Sequence, residues 1–409
     1  MPQQPSVFMI GWEYPPHNSG GLGVACQGMT EALASAGHHI NFTLPYQFAG
    51  SVGHMSVHAS PDPTVRKSQA QSPPWNAYSA SSSIQQVSLR AAFVSGVDTL
   101  PQADLEHHVE SYAQRVQKIA HSQSFDVIHA HDWLSFPAAM AVHADTGKPL
   151  VTHIHSTEYD RIPGGNGSSY IMQAEQRGMQ AATHVIAVSE YTRQILIKQY
   201  GINPTKISVV HNGIAPHSTQ VAQAQFAGRK PMVAFMGRIT GQKGVHQFLE
   251  VAKRVTTILP EALFVIAGNG DLYHNVLLHN AAAGLSAHVL FAGFVRDRQK
   301  QQLLSRADVF IMPSLSEPFG LVALEAAQHN TPVIISKNSG VAEVLPSATQ
   351  LDYWDTDKMS EAVLSLLKDR EAAQLQIASQ QRDLSHVTWQ NSIEKLGSVY
   401  KRALLGTHG

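Results

Sequence analysis

The sequence has little cysteine, little charge and no long apolar run, and each shortage excludes a class of protein. Cys26 is the only cysteine in 409 residues, which excludes an intramolecular disulfide and a cysteine metal cage. Charged residues make up 14% and the formal net charge is -1, so the basic excess of a nucleic-acid binder is missing. No apolar stretch reaches the roughly 18 residues of a membrane span, and the start, MPQQPSVFMIGWEYPP, lacks the basic flank of a signal peptide. We therefore expect a cytoplasmic protein with no transmembrane segment and no nucleic-acid partner.

What the sequence does have is a series of short apolar runs, each followed by a helical pattern. Apolar residues make up 43% of the chain, enough for an ordinary globular core. Runs of this length with β-branched residues predict strands buried on both faces of parallel sheets. The first half contains SVFMIGW, FDVIHA, PLVTHI and THVIAVS, and the second half contains MVAFMG, ALFVIAG, DVFIMPS and TPVIIS. Two such series predict an α/β protein with two doubly wound, Rossmann-like domains that face each other across a cleft.

The boundary between the two predicted domains lies in a polar stretch. The first series ends at VVHNGI, and the next strand begins near Pro231, so we place the linker at about 215–229. A second stretch, roughly 52–84, is rich in Ser, Gln, Pro and Ala and predicts a loop-rich insertion. The predicted domains are 1–214 and 215–386, with a C-terminal helix at about 387–409 that packs back on the first domain.

Ligands of open α/β sheets bind at the carboxyl ends of the strands, so candidate site residues should follow the strands. After the first strand, Gly20, Gly21 and Gly23 lead into a helix, where glycine lets backbone N–H groups approach a phosphate. The dinucleotide pattern G-x-G-x-x-G is not met, because Cys26 stands where its last glycine would be. A tight turn without a ligand is the alternative for this loop.

Two histidine-rich segments follow later strands of the first domain, HAHDW (His129–Trp133) and HIHSTEYDR (His153–Arg161). Their two H-x-H pairs could bind a metal, but a metal site needs further ligands and supporting hydrogen bonds. A second interpretation is a site for sugar hydroxyls or for acid–base chemistry, using Asp132, Glu158 and the imidazoles. A third is simple helix capping by Asp132 or Ser156.

The second domain begins with a strand and the loop GRITGQKG, which contains Arg238 and Lys243. Two cations close to a helix N-terminus oppose the helix dipole, so an anion such as phosphate would explain them. Solvated loop charges are the alternative. The next strand ends in GNGD, and Asn269 within it could let a nucleoside approach the backbone or could form part of a turn.

The segment SEPFGLVALEAA places two carboxylates eight positions apart around the start of a helix. The N–H groups of Gly320, Leu321 and Val322 would be the unpaired first donors of that helix. Glu317 precedes the helix and Glu325 lies about one turn into it. Either glutamate could also be an ordinary partner of the helix dipole.

With these motifs together, the chain resembles the retaining nucleotide-sugar glycosyltransferases of the GT-B fold. The resemblance is to the glycogen/starch synthase and sucrose-phosphate synthase-like group (family 4 and 5 type), and it covers nearly the whole chain. Its markers are S-G-G-L-G (19–23), H-A-H-D-W (129–133), H-S-T-E-Y (155–159), V-S-E (188–190), V-x-H-N-G (209–213), G-R-x-x-x-Q-K-G (237–244) and E-P-F-G-L-x-x-L-E (317–325).

The resemblance implies a role for individual residues. The implied donor-binding residues are Gly20, Gly21, Arg238, Lys243, Asn269, Gly320, Leu321, Val322 and Glu325. The implied catalytic residues are His155, Glu317, Arg238 and Lys243, and the implied acceptor-binding residues are Glu13, Asp132, Glu158 and Tyr159. Within this set, Glu317 would bind hydroxyls of the transferred sugar and Glu325 those of the ribose.

The implied reaction is the transfer of a hexose, glucose, from UDP-glucose or ADP-glucose to a sugar or glucan acceptor, with retention. Two cations and a helix N-terminus would stabilise the leaving diphosphate, so neither a metal nor another cofactor is expected. Asp355-Thr356-Asp357 matches the D-x-D pattern of metal-dependent sugar transferases, but helix capping also explains it. Asn18 stands where bacterial glycogen synthases carry lysine.

Three other functions stay open from the sequence. The acceptor could be a small molecule or a cell-envelope glycan instead of a glucan. The chain could also be a nucleotide-sugar epimerase, or a sugar- or nucleotide-binding protein without activity. The intact set Arg238, Lys243, Glu317 and Glu325 favours a working transferase over the last of these.

Overall fold

A computed structural model of the protein describes residues 4–17, 20–48, 51–61, 102–164, 167–215 and 229–406. The chain divides into two compact units, one of Met1–Gly213 with Trp389–Gly409 and one of Ile214–Thr388. Most of the predicted insertion at 52–84 and of the predicted linker at 215–229 lies outside the described residues. We call the two parts unit 1 and unit 2.

Unit 1 is built on a seven-stranded parallel sheet. Its strands are β1 (Val7–Ile10), β2 (Ile40–Leu44), β3 (Ser56–Ala59), β4 (Val127–His131), β5 (Leu150–Ile154), β6 (His184–Ala187) and β7 (Ile207–Val209). They lie in the order β3-β2-β1-β4-β5-β6-β7. The strand order reverses direction at β1, which is the point where such sheets bind ligands. The edge strand β3 corrects one prediction, since it forms inside the stretch expected to be loop.

The helices of unit 1 cover the sheet and close its core. They are α1 (Gly21–Ser35), α2 (Gln102–Ala120), α3 (Phe136–Thr146), α4 (Glu158–Arg161), α5 (Ser169–Ala181), α6 (Glu190–Tyr200) and, from the end of the chain, Trp389–Leu405. The central strand β1 is buried along its whole length, as expected for a strand covered on both faces. The indole of Trp389 packs so tightly on Gly28 that a Cβ there would overlap it. Helix Trp389–Leu405 is thereby held against α1.

Unit 2 repeats the architecture with a six-stranded parallel sheet. Its strands are β8 (Met232–Met236), β9 (Leu263–Ala267), β10 (Val289–Gly293), β11 (Val309–Met312), β12 (Val333–Ser336) and β13 (Thr349–Leu351), in the order β10-β9-β8-β11-β12-β13. Its helices are α7 (Val245–Ile258), α8 (Tyr273–Ala282), α9 (Asp297–Arg306), α10 (Leu321–Gln328), α11 (Thr356–Lys368) and α12 (Arg370–Leu384). The terminal helix of unit 1, Trp389–Leu405, is α13. The prediction of two Rossmann-like parallel sheets is confirmed.

Among the described residues, no helix is both long and apolar enough to cross a membrane.

Candidate active site

In unit 2, the loops after the neighbouring strands β8 and β11 are joined by direct contacts. Leu315 N–H donates to the carbonyl of Gln242 at 2.8 Å, and Gln242 Nε2 donates to the carbonyl of Ser316 at 3.0 Å. Gly244 has φ 71°, and a Cβ there would overlap the carbonyl oxygen of Pro313. Only glycine adopts this φ and fits this close approach without strain, so Gly244 lets the two loops touch.

That contact brings two of the predicted catalytic residues together. Lys243 Nζ donates to Glu317 Oε2 at 2.6 Å, and Ser314 Oγ donates to the same oxygen at 3.2 Å. The side chains of Lys243 and Glu317 are only 16% and 9% exposed. A charge-assisted pair that is mostly shielded from water has a well-defined geometry, so both groups are held in place before any ligand arrives.

The helix α10 begins directly beside this pair. Gly320 precedes it with φ 106° and ψ 52°, and no side chain caps the helix. Its first N–H groups, including those of Leu321 and Val322, therefore have no partner within the helix, and they carry the positive end of its dipole. A helix N-terminus of this kind is suited to binding phosphate.

Glu325 lies one turn into α10 and is engaged by a residue that the sequence did not single out. Lys300 Nζ, from α9, donates to Glu325 Oε1 at 2.7 Å. Both side chains are partly exposed, at 30% and 22%. Lys300 lies in α9 and Glu325 lies in α10, 25 positions further along the chain, so no spacing rule connects the two residues.

The remaining donor-site predictions, Arg238 and Asn269, lie in loops that pack on each other. Ile239 N–H donates to the carbonyl of Asn269 at 3.0 Å. Gly268 makes this approach possible, since a Cβ there would overlap the carbonyl of Gly237. Arg238 is half-buried and the side chain of Asn269 is at an exposed position, with Oδ1 accepting the N–H of Gly270 at 2.9 Å. The structure thus places the two residues at adjoining strand ends, β8 and β9.

The D-x-D segment is occupied by other contacts. Asp355 caps α11 by accepting the N–H of Lys358 at 3.1 Å, and Lys358 Nζ donates to its other oxygen at 2.6 Å. Asp357 pairs with Arg254. Lysine and arginine neutralise the carboxylates that a metal ion would require, so helix capping is the interpretation that the geometry favours.

In unit 1, the glycine loop leads directly into α1. Gly20 is the residue before the helix, and no side chain caps it. Gly21 is exposed at the first helical position. An uncapped N-terminus with an exposed glycine leaves backbone N–H groups accessible to an anion. Ser19, the first residue of the motif S-G-G-L-G, and Asn18 before it lie outside the described residues.

Asp132 holds the loop that follows the neighbouring strand. Its Oδ1 accepts the N–H of His155 at 2.7 Å and the N–H of Ser156 at 3.4 Å. Asp132 also has φ 57° and ψ 169°, a conformation that costs a non-glycine residue roughly 1–3 kcal/mol. The residue is buried, and its hydrogen bonds fix this strained geometry. Its clearest role is therefore to position His155.

His155 is held in its neutral form. Its Nε2 lies 3.0 Å from Nδ1 of His131, and the residue is buried. Burial lowers the pKa of His155 to about 3. A neutral imidazole can donate or accept one hydrogen bond per ring nitrogen, but it cannot supply a positive charge.

Two of the predicted acceptor-binding carboxylates are buried. Glu158 has Oε2 accepting from Arg161 Nε at 2.9 Å and Oε1 accepting the N–H of Ser168 at 2.8 Å. Glu13 has no exposed surface either. An acceptor role for Glu158 and Glu13 stays a prediction, and for Glu158 it would require exchange of its protein partners. Tyr159 is half-buried and packs edge-on against Tyr200, with ring centroids 5.3 Å apart.

A buried charge network that sequence reasoning missed explains the position of Glu158. Arg161 Nη2 donates to Glu175 Oε1 at 2.7 Å, and Glu175 also accepts the N–H of Glu158 at 2.9 Å and the hydroxyl of Tyr200. All of these groups are buried, so the network fixes the turn that follows His155. Its partners come from three helices, which sequence spacing does not reveal.

Glu175 should make the stability of the protein depend on pH. Desolvation raises its pKa to about 7, although Arg161 acts against the shift. Between the unfolded pKa, near 4.3, and pH 7 the folded state binds more protons than the unfolded state, so stability falls as pH rises through this window. We expect wild type to lose about 2 kcal/mol more than Glu175→Gln between pH 5 and pH 7. Denaturant unfolding of both proteins at each pH measures this difference, and parallel pH curves would contradict it.

Comparison with known families agrees with the two-unit organisation. Residues 19–218 match the family described as Glycosyltransferase Family 4. Residues 217–383 match the family described as Glycosyl transferases group 1. The two matches together run over most of the chain and change from one family to the other within the predicted linker.

Similar curated proteins cover almost the full length. The chain is 29% identical to the glycogen synthase of Mycobacterium tuberculosis, over 98% of this chain and 95% of that protein. It is 27% identical to the α-maltose-1-phosphate synthase of Mycolicibacterium smegmatis, over 97% of this chain and 99% of that protein. By name, one relative is a synthase of glycogen and the other a synthase of α-maltose-1-phosphate.

Solved structures with the same fold have low sequence identity. Sucrose-phosphate synthase from Thermosynechococcus elongatus matches with a TM-score of 0.76 at 16% identity, over 98% of this chain and 100% of that chain. The catalytic domain of starch synthase IV from Arabidopsis thaliana, bound to ADP and acarbose, matches with a TM-score of 0.75 at 17% identity, with the same coverage. The chain therefore carries a family 4 glycosyltransferase domain followed by a group 1 glycosyltransferase domain, on the GT-B fold of the solved structures that it resembles.

Proposed function

We propose that this glycosyltransferase moves glucose, with retention, from a nucleotide diphosphate sugar to a sugar or glucan acceptor, and that it needs no metal ion. The observation that carries the proposal is the pair of Lys243 and Glu317 beside the uncapped start of α10. Cation, carboxylate and helix N-terminus are the three groups that the phosphates and hydroxyls of a nucleotide sugar would require.

The charge of the leaving diphosphate is the main chemical problem of the reaction. Lys243 and Arg238 provide two positive charges at the strand ends of unit 2, and α10 adds the positive end of its dipole. An ammonium group has three N–H donors, and Glu317 occupies one of them, which leaves two for phosphate oxygens. Positive groups that are already in place stabilise developing negative charge without reorganisation, which is the role that a metal plays in other transferases.

Glu317, which precedes α10, and Glu325, which lies in it, have separate roles in this proposal. Glu317, held by Lys243 and Ser314, binds hydroxyls of the transferred sugar. Glu325, oriented by Lys300, binds hydroxyls of the ribose. A carboxylate with a fixed orientation gains more from a hydroxyl than a mobile one does, because less side-chain entropy is lost on binding. Lys300 is therefore a positioning residue for the donor.

Retention follows if the acceptor attacks from the face that the diphosphate leaves. The bond from the anomeric carbon to the phosphate oxygen breaks, and a bond from that carbon to the acceptor oxygen forms. The proton of the acceptor hydroxyl passes to the leaving phosphate, so no protein base is consumed. The neutral imidazole of His155 supplies a hydrogen bond to the sugar in this scheme, and Asp132 keeps it in position.

The relatives support glucose as the transferred sugar and a glucan as one acceptor. A glycogen synthase matches nearly the whole chain, and a neighbouring structure, Alr3699/HepE from Anabaena, was solved with UDP-glucose. The starch synthase structure contains ADP, so both nucleotides belong in the test. A small-molecule or envelope glycan acceptor is the alternative that the acceptor arm of the same test distinguishes.

Release of nucleoside diphosphate tests the proposal. The protein is incubated with UDP-glucose or ADP-glucose, with and without maltooligosaccharide, and in the presence or absence of EDTA. We expect release that depends on the acceptor, is insensitive to EDTA, and yields an α-linked product by NMR. No release with maltooligosaccharide and either donor would contradict transfer of glucose to a glucan and favour the alternative acceptors, and loss of release with EDTA would contradict metal independence.

Arg238 provides the matched variant for this experiment. Arg238→Ala should reduce release at least about tenfold, because one charge-assisted phosphate contact is lost. Arg254→Ala is the control, since Arg254 is an exposed arginine of the same unit that pairs with Asp357 on α11. Unchanged turnover in Arg238→Ala would show that the phosphate assignment is wrong.

A further inference from the structure

Four histidines form a cluster on one face of the unit 1 sheet. His129 and His131 are two apart in β4, and His153 and His155 are two apart at the end of β5, so each pair shares a face. His131 pairs in register with His153 on the adjacent strand. All four side chains are buried, and transfer of glucose as proposed above uses only His155.

The rings contact one another in a defined order. His129 Nδ1 lies 2.7 Å from the hydroxyl of Tyr400, and His129 Nε2 lies 3.3 Å from His153 Nδ1. His131 Nδ1 lies 3.0 Å from His155 Nε2. Within the described part of the chain, Nε2 of His131 and Nε2 of His153 have no hydrogen-bond partner although both are buried.

Two buried ring nitrogens without hydrogen-bond partners destabilise the folded state unless a ligand satisfies them. In His131 and His153, the Nδ1 atom already faces another imidazole. If each Nδ1 carries the proton, each Nε2 presents a lone pair, and this is the arrangement in which imidazoles bind metals while their other nitrogen donates a hydrogen bond.

The geometry points to a site for one divalent transition-metal ion, of the zinc type, bound by His129, His131 and His153. One nitrogen from each of the three residues lies within 4.8 Å of the others. Tetrahedral zinc with Zn–N bonds near 2.0–2.1 Å requires about 3.3 Å between its nitrogens, so small ring movements would close the site. His129 would keep its Nδ1 contact with Tyr400 and bind the ion through Nε2, which would then give up its contact with His153 Nδ1.

The chemistry of the donor set favours zinc over magnesium or calcium. All three ligands are imidazoles, which suit zinc, copper and nickel, whereas magnesium and calcium prefer oxygen.

Such an ion would act on folding and not on the transferred sugar. It would join β4 to β5 and, through His129 and Tyr400, to α13, which comes from the far end of the chain. A ligand that binds only the folded state stabilises that state. The inference is independent of the proposed reaction, because the proposed donor contacts of unit 2 involve no metal.

Refolding with and without metal tests the site. Since the cluster is buried, the full chain is unfolded in guanidinium with EDTA, freed of chelator, and refolded with Zn²⁺, with Co²⁺, or with neither. We expect about one ion per chain by elemental analysis, a visible Co²⁺ absorption band of a tetrahedral site, and a Tm several degrees higher with Zn²⁺. Wild-type protein that refolds with neither bound metal nor a change in Tm overturns the proposal.

Variants separate the cluster from adventitious binding. His131→Gln and His153→Gln should each lose the bound metal and the Zn²⁺-dependent rise in Tm. His184→Gln is the matched control, because His184 is another buried strand histidine of the same sheet and has its own partner in Ser208 at 2.9 Å. Metal retained equally in all three variants overturns the proposal. If a cluster variant does not fold, the metal stoichiometry and the Co²⁺ absorption band of the wild-type protein still test the proposed site.

Discussion

Replacing Lys243 by methionine should reduce kcat/KM for the sugar donor by about a hundred- to a thousandfold, the loss typical of one preorganised group that stabilises developing negative charge. Methionine keeps most of the side-chain length but cannot contact phosphate or Glu317. Since Glu317 would be left largely buried without its cation, a lower Tm should accompany the loss of activity. Steady-state kinetics with the preferred donor and a thermal melt measure the two effects.

A second variant separates the two effects of Lys243. The double change Lys243→Met with Glu317→Gln removes both charges, so it should recover most of the lost Tm while activity stays low. Lys337→Met is the control, because Lys337 pairs with Asp352 at an exposed position of unit 2 and should change neither quantity. Wild-type kinetics in Lys243→Met would remove the central support for the proposed donor site.

Gly244→Ala should lower both activity and stability, even though it adds a single methyl group next to Lys243. Gly244 has φ 71°, which an L-residue adopts at a cost of about 1–2 kcal/mol. The new Cβ would also overlap the carbonyl oxygen of Pro313, so the loops after β8 and β11 must separate. We expect a Tm several degrees lower and kcat/KM reduced more than about tenfold, since a displacement of 1 Å can cost about a hundredfold in rate.

Gly241→Ala tests whether that effect comes from geometry. Gly241 lies two residues before Lys243, is exposed, and has open space where a Cβ would be placed. Alanine there should leave both kcat/KM and Tm near wild type. Equal losses in the two variants would indicate that the loop needs glycine for flexibility, and the contact with Pro313 would then not be what positions Lys243.

Much of the fold could be predicted because it depends on local patterns. Strands buried on both faces read as short apolar runs, and glycine-rich loops mark the points where strands pass into helices. These patterns predicted two parallel Rossmann-like sheets, which the structure confirms. The edge strand Ser56–Ala59 was missed, because its SVHA sequence is short and only partly buried.

The donor residues of unit 2 could be proposed from sequence for a similar reason. Ligands bind at strand ends, and Arg238, Lys243, Glu317 and Glu325 follow strands that a sequence pattern can locate. Their partners could not be proposed. Lys300 reaches Glu325 from another helix, and nothing in the spacing of the two residues reports that contact.

The carboxylates of unit 1 show what sequence reasoning leaves open. Glu158 follows a strand end in a motif rich in polar residues, and the same motif suits either a ligand site or a buried network. Arg161, Glu175 and Tyr200 decide between the two by enclosing Glu158, and they come from different helices. Burial depends on the sum of long-range contacts, which a local motif does not contain.

The sequence by itself determined the two parallel sheets and the positions after each strand where chemistry can occur, because hydrophobic period and glycine placement act over a few residues. Only the tertiary structure decided which of those polar groups are available. It paired Lys243 with Glu317, enclosed Glu158 and Glu13, and gathered His129, His131 and His153 on one face. Strand order and helix packing set these distances, and both are properties of the whole folded unit.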